Sequence, residues 1–380
     1  MKIIHIELVG PFNENMSYQG AILPLYNKKA GHDVTVISSC YAWNDKGKII
    51  RVPENDIIKN GIRYIRINYD YMFLPFFAEK IRKSKKLLKY IENIKPDIIL
   101  NHDLQTFELF TLQKYKTKNV ELKLYADSHT DINNSARSWL SKNFLHKLFY
   151  RYIIKNNIQI FEKIFYVSYE TKDFLINTYG VSEEKMEFYP LGGEILSNEL
   201  KDKIRKEKRT ELGFSEDNIV FCHSGKMDYE KRTYELLQNF SKVKNSNFRL
   251  IIIGVFSKET EEKNMELINS DERVVYLGWK ESNELIKYIA ASDLYVQPGS
   301  QSATMQSALC VGTPVLFKNI KSHKAYMHGN AFAINDCNEM IKVFEQISEK
   351  PEILHYMSEK AYEIAKEILD YSKLAERITL

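Results

Sequence analysis

The 380 residues contain no Asp-x-Asp pair of the kind that holds a metal-bound diphosphate. They also lack Gly-x-x-x-x-Gly-Lys-[Ser/Thr], Gly-x-Gly-x-x-Gly, His-Glu-x-x-His and Gly-x-Ser-x-Gly. These absences count against metal-dependent transfer, nucleoside triphosphate hydrolysis and dinucleotide oxidoreduction. Cysteine is scarce. Cys40, Cys222, Cys310 and Cys337 lie far apart in apolar or small-residue settings, form no Cys-x-x-Cys pair, and read as buried thiols in a reducing compartment. No apolar run approaches the roughly 18 residues of a membrane span, and Met1-Lys2 leads into a short strand rather than a signal peptide. The expectation is a cytoplasmic protein, or one attached to the inner face of a membrane. Surplus charge is missing too: 54 basic against 50 acidic residues leave +4, too balanced for a nucleic-acid binder held by electrostatics.

What is present reads as two rounds of strand, loop and helix, and a 44% hydrophobic chain of this length can fill two cores. Ile3–Val9 is a short run rich in β-branched residues, followed by the polar loop Gly10–Gly20. Helical spacing from Ala21 to Ala30 is stopped by Gly31-His32 before a second strand, Asp33–Ser38. That order implies a parallel sheet with a crossover helix. Further strands are expected at Ile62–Ile67, Pro96–Leu100, Glu121–Tyr125 and Lys163–Ser168, with helices at Ile81–Ile94 and Glu170–Tyr179. The rhythm breaks at Phe188–Glu194, ahead of the highly charged Asn198–Glu211, and a domain boundary belongs there. It restarts with strands at Ile219–His223, Arg249–Ile253, Val274–Leu277 and Leu294–Gln297 and helices at Thr233–Val243 and Glu281–Ala291, and the chain is helical from Asn338.

Open α/β sheets bind ligands beyond the carboxyl ends of their strands, where the polar residues of this chain collect. After Leu294–Gln297 come Pro298-Gly299, then Ser300, Gln301, Ser302, Ala303 and Thr304, then a helix-compatible run to Cys310 closed by Gly312 and Pro314. Free N–H groups and the positive helix end suit a phosphate there, although an ordinary strand-to-helix connection has the same pattern. Gly225-Lys226 with Lys231 can hold a diphosphate from two sides, the plainer alternative being solvated surface charge. His129, in Asp127-Ser-His-Thr-Asp131, can exchange protons near neutral pH or serve structure alone. Gly278-Trp279 can offer backbone groups to a nucleobase edge, or form a plain turn. In Trp139–Lys155, Trp139, Phe144, Leu145, Leu148, Phe149 and Tyr152 share a helical face, with Lys142, Lys147, Arg151 and Lys155 interspersed. That segment suits weak contact with an anionic membrane surface, and equally a core helix with snorkelling lysines.

The order of motifs resembles the two-domain GT-B glycosyltransferases, specifically the retaining group called glycosyltransferase family 4. Gly31-His-Asp-Val-Thr-Val-Ile37 resembles that family's GHEVTVIT strand, and Lys95-Pro-Asp-Ile-Ile99 its KPDIIH strand. Val167-Ser168, Gly180-Val181 and Tyr189-Pro-Leu-Gly192 resemble its VS…YGV…IPLG run, and Gly278-Trp279 its FLGWV. Gly225-Lys226 to Lys231 matches the spacing of its Arg-x4-Lys clamp with lysine for arginine, and Ala308-Leu309 through Gly312-Thr-Pro-Val315 its EAMACGTPVV.

The resemblance implies an α/β GT-B fold, two Rossmann-like domains facing each other across a cleft. Residues 1–193 would form the acceptor domain and 194–362 the nucleotide-sugar domain, with a C-terminal helix at about 363–380 packing back on the first. It implies a metal-independent retaining glycosyltransferase without a cofactor. Such an enzyme moves a sugar from a nucleotide diphosphate sugar to a hydroxyl of a glycan or lipid-linked acceptor, in surface polysaccharide or glycoconjugate synthesis. Lys226 and Lys231 would act on the diphosphate, and His129 and the loop ending at Gly20 would close over the sugar. Gly225, Gly278, Trp279 and the stretch from Gly299 to Thr304 would surround the donor. Family members carry two glutamates eight residues apart, and here Ser307 and Gly299 stand in those places. Gln306 and Gln301 lie beside them and can meet hydroxyls as neutral amides. Two other readings stay open: a GT-B-fold sugar-nucleotide epimerase, and a non-catalytic partner subunit that has lost both acids.

Overall fold

The computed structural model describes residues 1–380 apart from 17, 45–46, 71–73, 133 and 301. The chain divides into two compact units, Met1–Pro190 with Tyr371–Leu380, and Leu191–Asp370. The break falls three residues before the expected 193/194 because Gly193 belongs to the second unit: its N–H donates to the Leu369 carbonyl and it bridges to Asp370.

In the first unit the strands are β1 (Lys2–Glu7), β2 (Asp33–Ser39), β3 (Tyr41–Trp43), β4 (Ile49–Arg51), β5 (Asn55–Lys59), β6 (Ile62–Ile67), β7 (Ile98–His102), β8 (Lys123–Ser128), β9 (Lys163–Tyr166) and β10 (Met186–Phe188). They form a sheet in the order β10-β9-β8-β7-β1-β2-β6-β5, parallel except for β5, while β3 and β4 pair separately. Ile3, Ile4 and Ile6 of β1 are buried on alternate faces, as a sheet covered on both sides requires. The strand order turns at β1, which lies between β7 and β2, and that turning point is where such sheets hold ligands. Strands β7 and β8 run further than their apolar residues suggested. Their polar ends stay in register, His102 opposite Asp127.

The expected helix at Ile81–Ile94 is instead two, Pro75–Ile81 and Lys86–Ile94. Arg82 ends the first in the left-handed conformation (φ 52°), and its guanidinium turns to the Gln105 carbonyl at 2.8 Å. The C-terminal helix Tyr371–Glu376 returns to the sheet, where Tyr189 donates to Leu374 O at 2.6 Å and Asn27 Nδ2 to Ala375 O at 3.0 Å.

The second unit holds β11 (Ile219–Met227), β12 (Phe248–Phe256), β13 (Val274–Tyr276), β14 (Leu294–Gln297), β15 (Val315–Lys318) and β16 (Ala331–Ile334), all parallel in the order β13-β12-β11-β14-β15-β16. Its core centres on Phe221, Phe240, Phe248 and Phe344. Ser224, Gly225 and Lys226 are not the loop their composition suggested. They extend β11 against Ile253, Gly254 and Val255 of β12. A side chain on Gly254 would collide with the Gly225 carbonyl, so this extension needs glycine at 254. Cys40, Cys222 and Cys310 are buried, but Cys337 is only half-buried. Among the described residues, no helix is long and apolar enough to cross a membrane.

Candidate active site

In the second unit the strand order turns between β11 and β14, and the expected donor residues gather at the carboxyl ends of these strands. Asp228 caps the turn after β11 by accepting from Glu230 N–H at 3.1 Å, which brings Lys231 back toward the strand end. The Lys231 stem fills the space a Gly225 side chain would take, with Cε 3.1 Å and Nζ 3.6 Å from that point. Gly299 packs on the Glu230 and Lys231 backbone so closely that any Cβ would collide with it, and Ser300 N–H donates to Glu230 O at 2.8 Å. Ser302 then caps the helix Ala303–Cys310, its Oγ accepting from Thr304 N–H at 3.3 Å. Lys231 is 9% exposed, and burial pulls its ammonium pKa down against the pull of Asp228. An anion placed here would relieve that cost. Gly278 joins the same edge, its carbonyl accepting from Gly254 N–H at 2.9 Å.

Lys226 follows Gly225 at the end of β11 with its side chain exposed, and Trp279, next to Gly278, is 70% exposed. The Gln306 amide points into the core, where Nε2 donates to the Tyr326 hydroxyl at 3.0 Å and Oε1 is buried without a partner among the described residues. Ser307 lines a separate small pocket with Gly193 and Cys310. Gln301 lies outside the described residues.

In the first unit His129 sits at the end of a buried polar chain that begins in β1. Asn27 gives its amide N–H to Ala375 O, so its Oδ1 faces His5 Nε2, which donates at 3.0 Å. Burial first, then His102, pushes His5 down to about 3, so it is neutral and its Nδ1 must accept from His102 Nε2–H at 3.1 Å. His102 also gives Nδ1–H to Asp127 Oδ2 at 2.6 Å. Both ring nitrogens of His102 are therefore protonated. Burial opposes this charge, but Asp127 and then Glu7 outweigh it and raise His102 to about 9. Asp127 is held well below the usual carboxylate range, burial being overcome by His102 and His129. Its Oδ2 lies 3.6 Å from His129 Nε2. A third of the His129 side chain is exposed, and Asp103 Oδ1 accepts from its backbone N–H at 3.0 Å.

Glu7 stands beside this chain, its Oε1 3.7 Å from His102 Nε2, buried and without a hydrogen bond among the described residues. Burial pushes its carboxyl up to about 7. Gly20 belongs here as well, since any side chain on it would run into the Glu7 carboxyl. His102, Asp127 and His129 bring three ligand-type atoms within 4.8 Å of one another. Two of the three, His102 and Asp127, are joined by the 2.6 Å hydrogen bond of the polar chain. The apolar pattern of β1 hid His5 and Glu7, and the only sign of His102 was its place at a strand end.

The segment Trp139–Lys155 is helical over Ser141–Tyr150 and Arg151–Asn157. Trp139, Leu140, Phe144, Leu148 and Tyr152 are exposed, while Leu145 and Phe149 pack against the core. Lys142, Lys147 and Lys155 are exposed beside them.

Residues 27–192 match the family model described as Glycosyltransferase Family 4, and residues 204–364 the model described as Glycosyl transferases group 1. Alpha-monoglucosyldiacylglycerol synthase of Streptococcus pneumoniae is 23% identical over 318 residues, 77% of this chain and 70% of that protein. HepE of Anabaena, solved in complex with UDP, has a TM-score of 0.64 at 16% identity, covering 100% of this chain and 98% of its own. WaaG, a glycosyltransferase involved in lipopolysaccharide biosynthesis, has a TM-score of 0.62 at 14% identity, with 100% of both chains covered. Two parallel-sheet units matched in this way define a glycosyltransferase of the GT-B class. Within that class, the chain is a family 4-like glycosyltransferase.

Proposed function

We propose that this enzyme is a metal-independent, retaining transferase. It moves a sugar from a nucleotide diphosphate sugar to a hydroxyl of a glycan or lipid-linked acceptor in surface polysaccharide or glycoconjugate synthesis. The observation that carries the reading is the convergence of Gly225, Lys231, Gly299, Ser300 and a capped helix N-terminus at one strand-order turning point. Solved structures of HepE with UDP and with UDP-glucose support a donor of this kind. As the bond from the sugar to the diphosphate breaks, negative charge grows on the departing oxygen. A positioned ammonium and backbone N–H groups stabilise that charge without a metal. The acceptor oxygen bonds to the same carbon on the same face, and its proton passes to the leaving phosphate. His129, held beside Asp127, serves as a hydrogen-bonding group for the sugar. The exposed apolar face at 139–152, with its lysines, suits weak peripheral contact with the inner face of an anionic membrane.

The test is turnover of a panel of sugar nucleotides with glycan and lipid acceptors in the presence of EDTA, with the anomeric configuration of the product read by NMR. Retention with undiminished rate is expected. Inversion, or loss of rate with EDTA, would refute the mechanism. Conversion of the sugar nucleotide without an acceptor would identify an epimerase, and failure to bind any donor a partner subunit.

A further inference from the structure

A pocket of about 360 Å³ opens in the first unit beside the His129 loop, and its lining includes Lys80, Arg82, Gln105, Thr130, Arg137 and His146. That volume suits a small ligand or headgroup. Three cations line it, and no carboxylate does among the described residues. Burial first, then Arg82 and Lys80, push the His146 imidazole down to about 4. It is neutral near pH 7, with Nδ1 2.7 Å from the Tyr179 hydroxyl. Gln105, 2% exposed, gives its amide N–H to the same hydroxyl at 3.0 Å, which leaves Oε1 buried with no donor among the described residues. A donor from outside the chain would satisfy it.

The cations are held by the scaffold. Arg82 is fixed in its left-handed conformation by its bond to Gln105 O and by Thr106 Oγ1–H donating to Arg82 O at 2.7 Å. The Tyr150 hydroxyl donates to Lys80 O at 2.9 Å, which ties the helix Pro75–Ile81 to the segment Ser141–Tyr150. Both segments carry exposed apolar side chains beyond the pocket, Leu74, Phe76 and Phe77 on one and Phe144 and Leu148 on the other.

We propose that this pocket holds the hydroxylated phosphate ester of an amphiphilic acceptor, its phosphoryl oxygens on Lys80, Arg82 and Arg137 and a hydroxyl donating to Gln105. The word acceptor rests on the transferase reading, since Thr130 and the His129-bound Asn134 share the pocket wall. The pocket itself does not.

Calorimetry on the full chain tests it with four probes: short-chain phosphatidylglycerol below its micelle concentration, the matching diacylglycerol, glycerol 3-phosphate and a nucleoside diphosphate. Phosphatidylglycerol is expected to bind about tenfold or more tighter than diacylglycerol, and Lys80→Gln and Arg137→Gln each to weaken it about tenfold. Gln105→Leu, with the orphan acceptor gone, should also weaken it. Weaker binding of glycerol 3-phosphate, with the same sensitivity to the variants, supports a lipid headgroup. Equal binding supports the phosphoryl site with a soluble ester as its source. Equal affinity for diacylglycerol overturns the proposal, as does phosphatidylglycerol affinity unchanged in both charge variants at unchanged melting temperature. Nucleoside diphosphate affinity is read separately. Its absence would defeat the transferase reading and leave the pocket standing.

Discussion

A lysine that is only 9% exposed and has no carboxylate in salt-bridge range among the described residues invites an anion, and Lys231 is such a residue. Because the leaving diphosphate gains charge in the transition state, the ammonium should act on kcat more than on KM. Lys231→Ala is expected to lower kcat on the order of 10²- to 10³-fold, by analogy with loss of an oxyanion donor. Turnover within about threefold of the parent, on a donor shown to bind, would remove Lys231 from the mechanism. The histidine chain makes a prediction about stability and pH. His102 has a folded pKa of about 9 against 6.5, so its stabilisation is complete below pH 6.5 and disappears as pH rises through 9. Glu7 is raised to about 7 against 4.5, so the cost of its burial is absent below pH 4.5 and complete above 7. Both effects lower stability as pH rises. His5 and His146, held down to about 3 and about 4, act in the opposite direction, so the effect is read as a difference from a variant. Relative to Glu7→Gln, the parent should lose stability in urea unfolding as pH rises from 4.5 through 7, and a difference that does not change with pH would refute the protonation state assigned to Glu7.

At the scale of elements, the sequence revealed strands by their apolar runs and missed them where polar or glycine residues carry the strand onward. Ser224-Gly225-Lys226 reads as a loop because glycine and lysine are poor strand formers. It is a strand because Gly225 and Gly254 (φ 135° and 145°) bring two backbones together. Asp127 looked like a residue after a strand and lies within one, paired with His102. Arg82 carried no sign that it would end a helix, since a left-handed arginine is fixed by a partner 23 positions away in sequence. The turn before the helix Ala303–Cys310 was legible from its small polar residues and the Ser302 cap. Its closeness to Lys231 was not, because that depends on Gly299 meeting the Glu230 and Lys231 backbone. Gly299→Ala is expected to push these segments apart, weakening nucleoside diphosphate binding about tenfold while costing about 1–3 kcal/mol of stability. Binding at parental affinity would show that the contact does not position the lysine.

At the scale of the molecule, the ordered motifs pointed to the GT-B glycosyltransferases, and the family models match both halves of the chain. What motifs could not show was how Gly299 and Ser307, at the positions where the resemblance leads one to expect acids, are used. The fold uses Gly299 for close packing and turns the neighbouring Gln306 toward Tyr326. The exposed 139–152 face predicts weak binding of the whole protein to vesicles, stronger for anionic than neutral lipid and reduced by salt. Equal co-sedimentation with both would assign that face another role. The central claim, that the second unit is a metal-free diphosphate cradle, is tested most directly by titrating the protein with a nucleoside diphosphate and the matching monophosphate in EDTA. Charge-assisted contacts to the second phosphate should make the diphosphate bind about 10- to 100-fold tighter, and equal affinities would contradict the account.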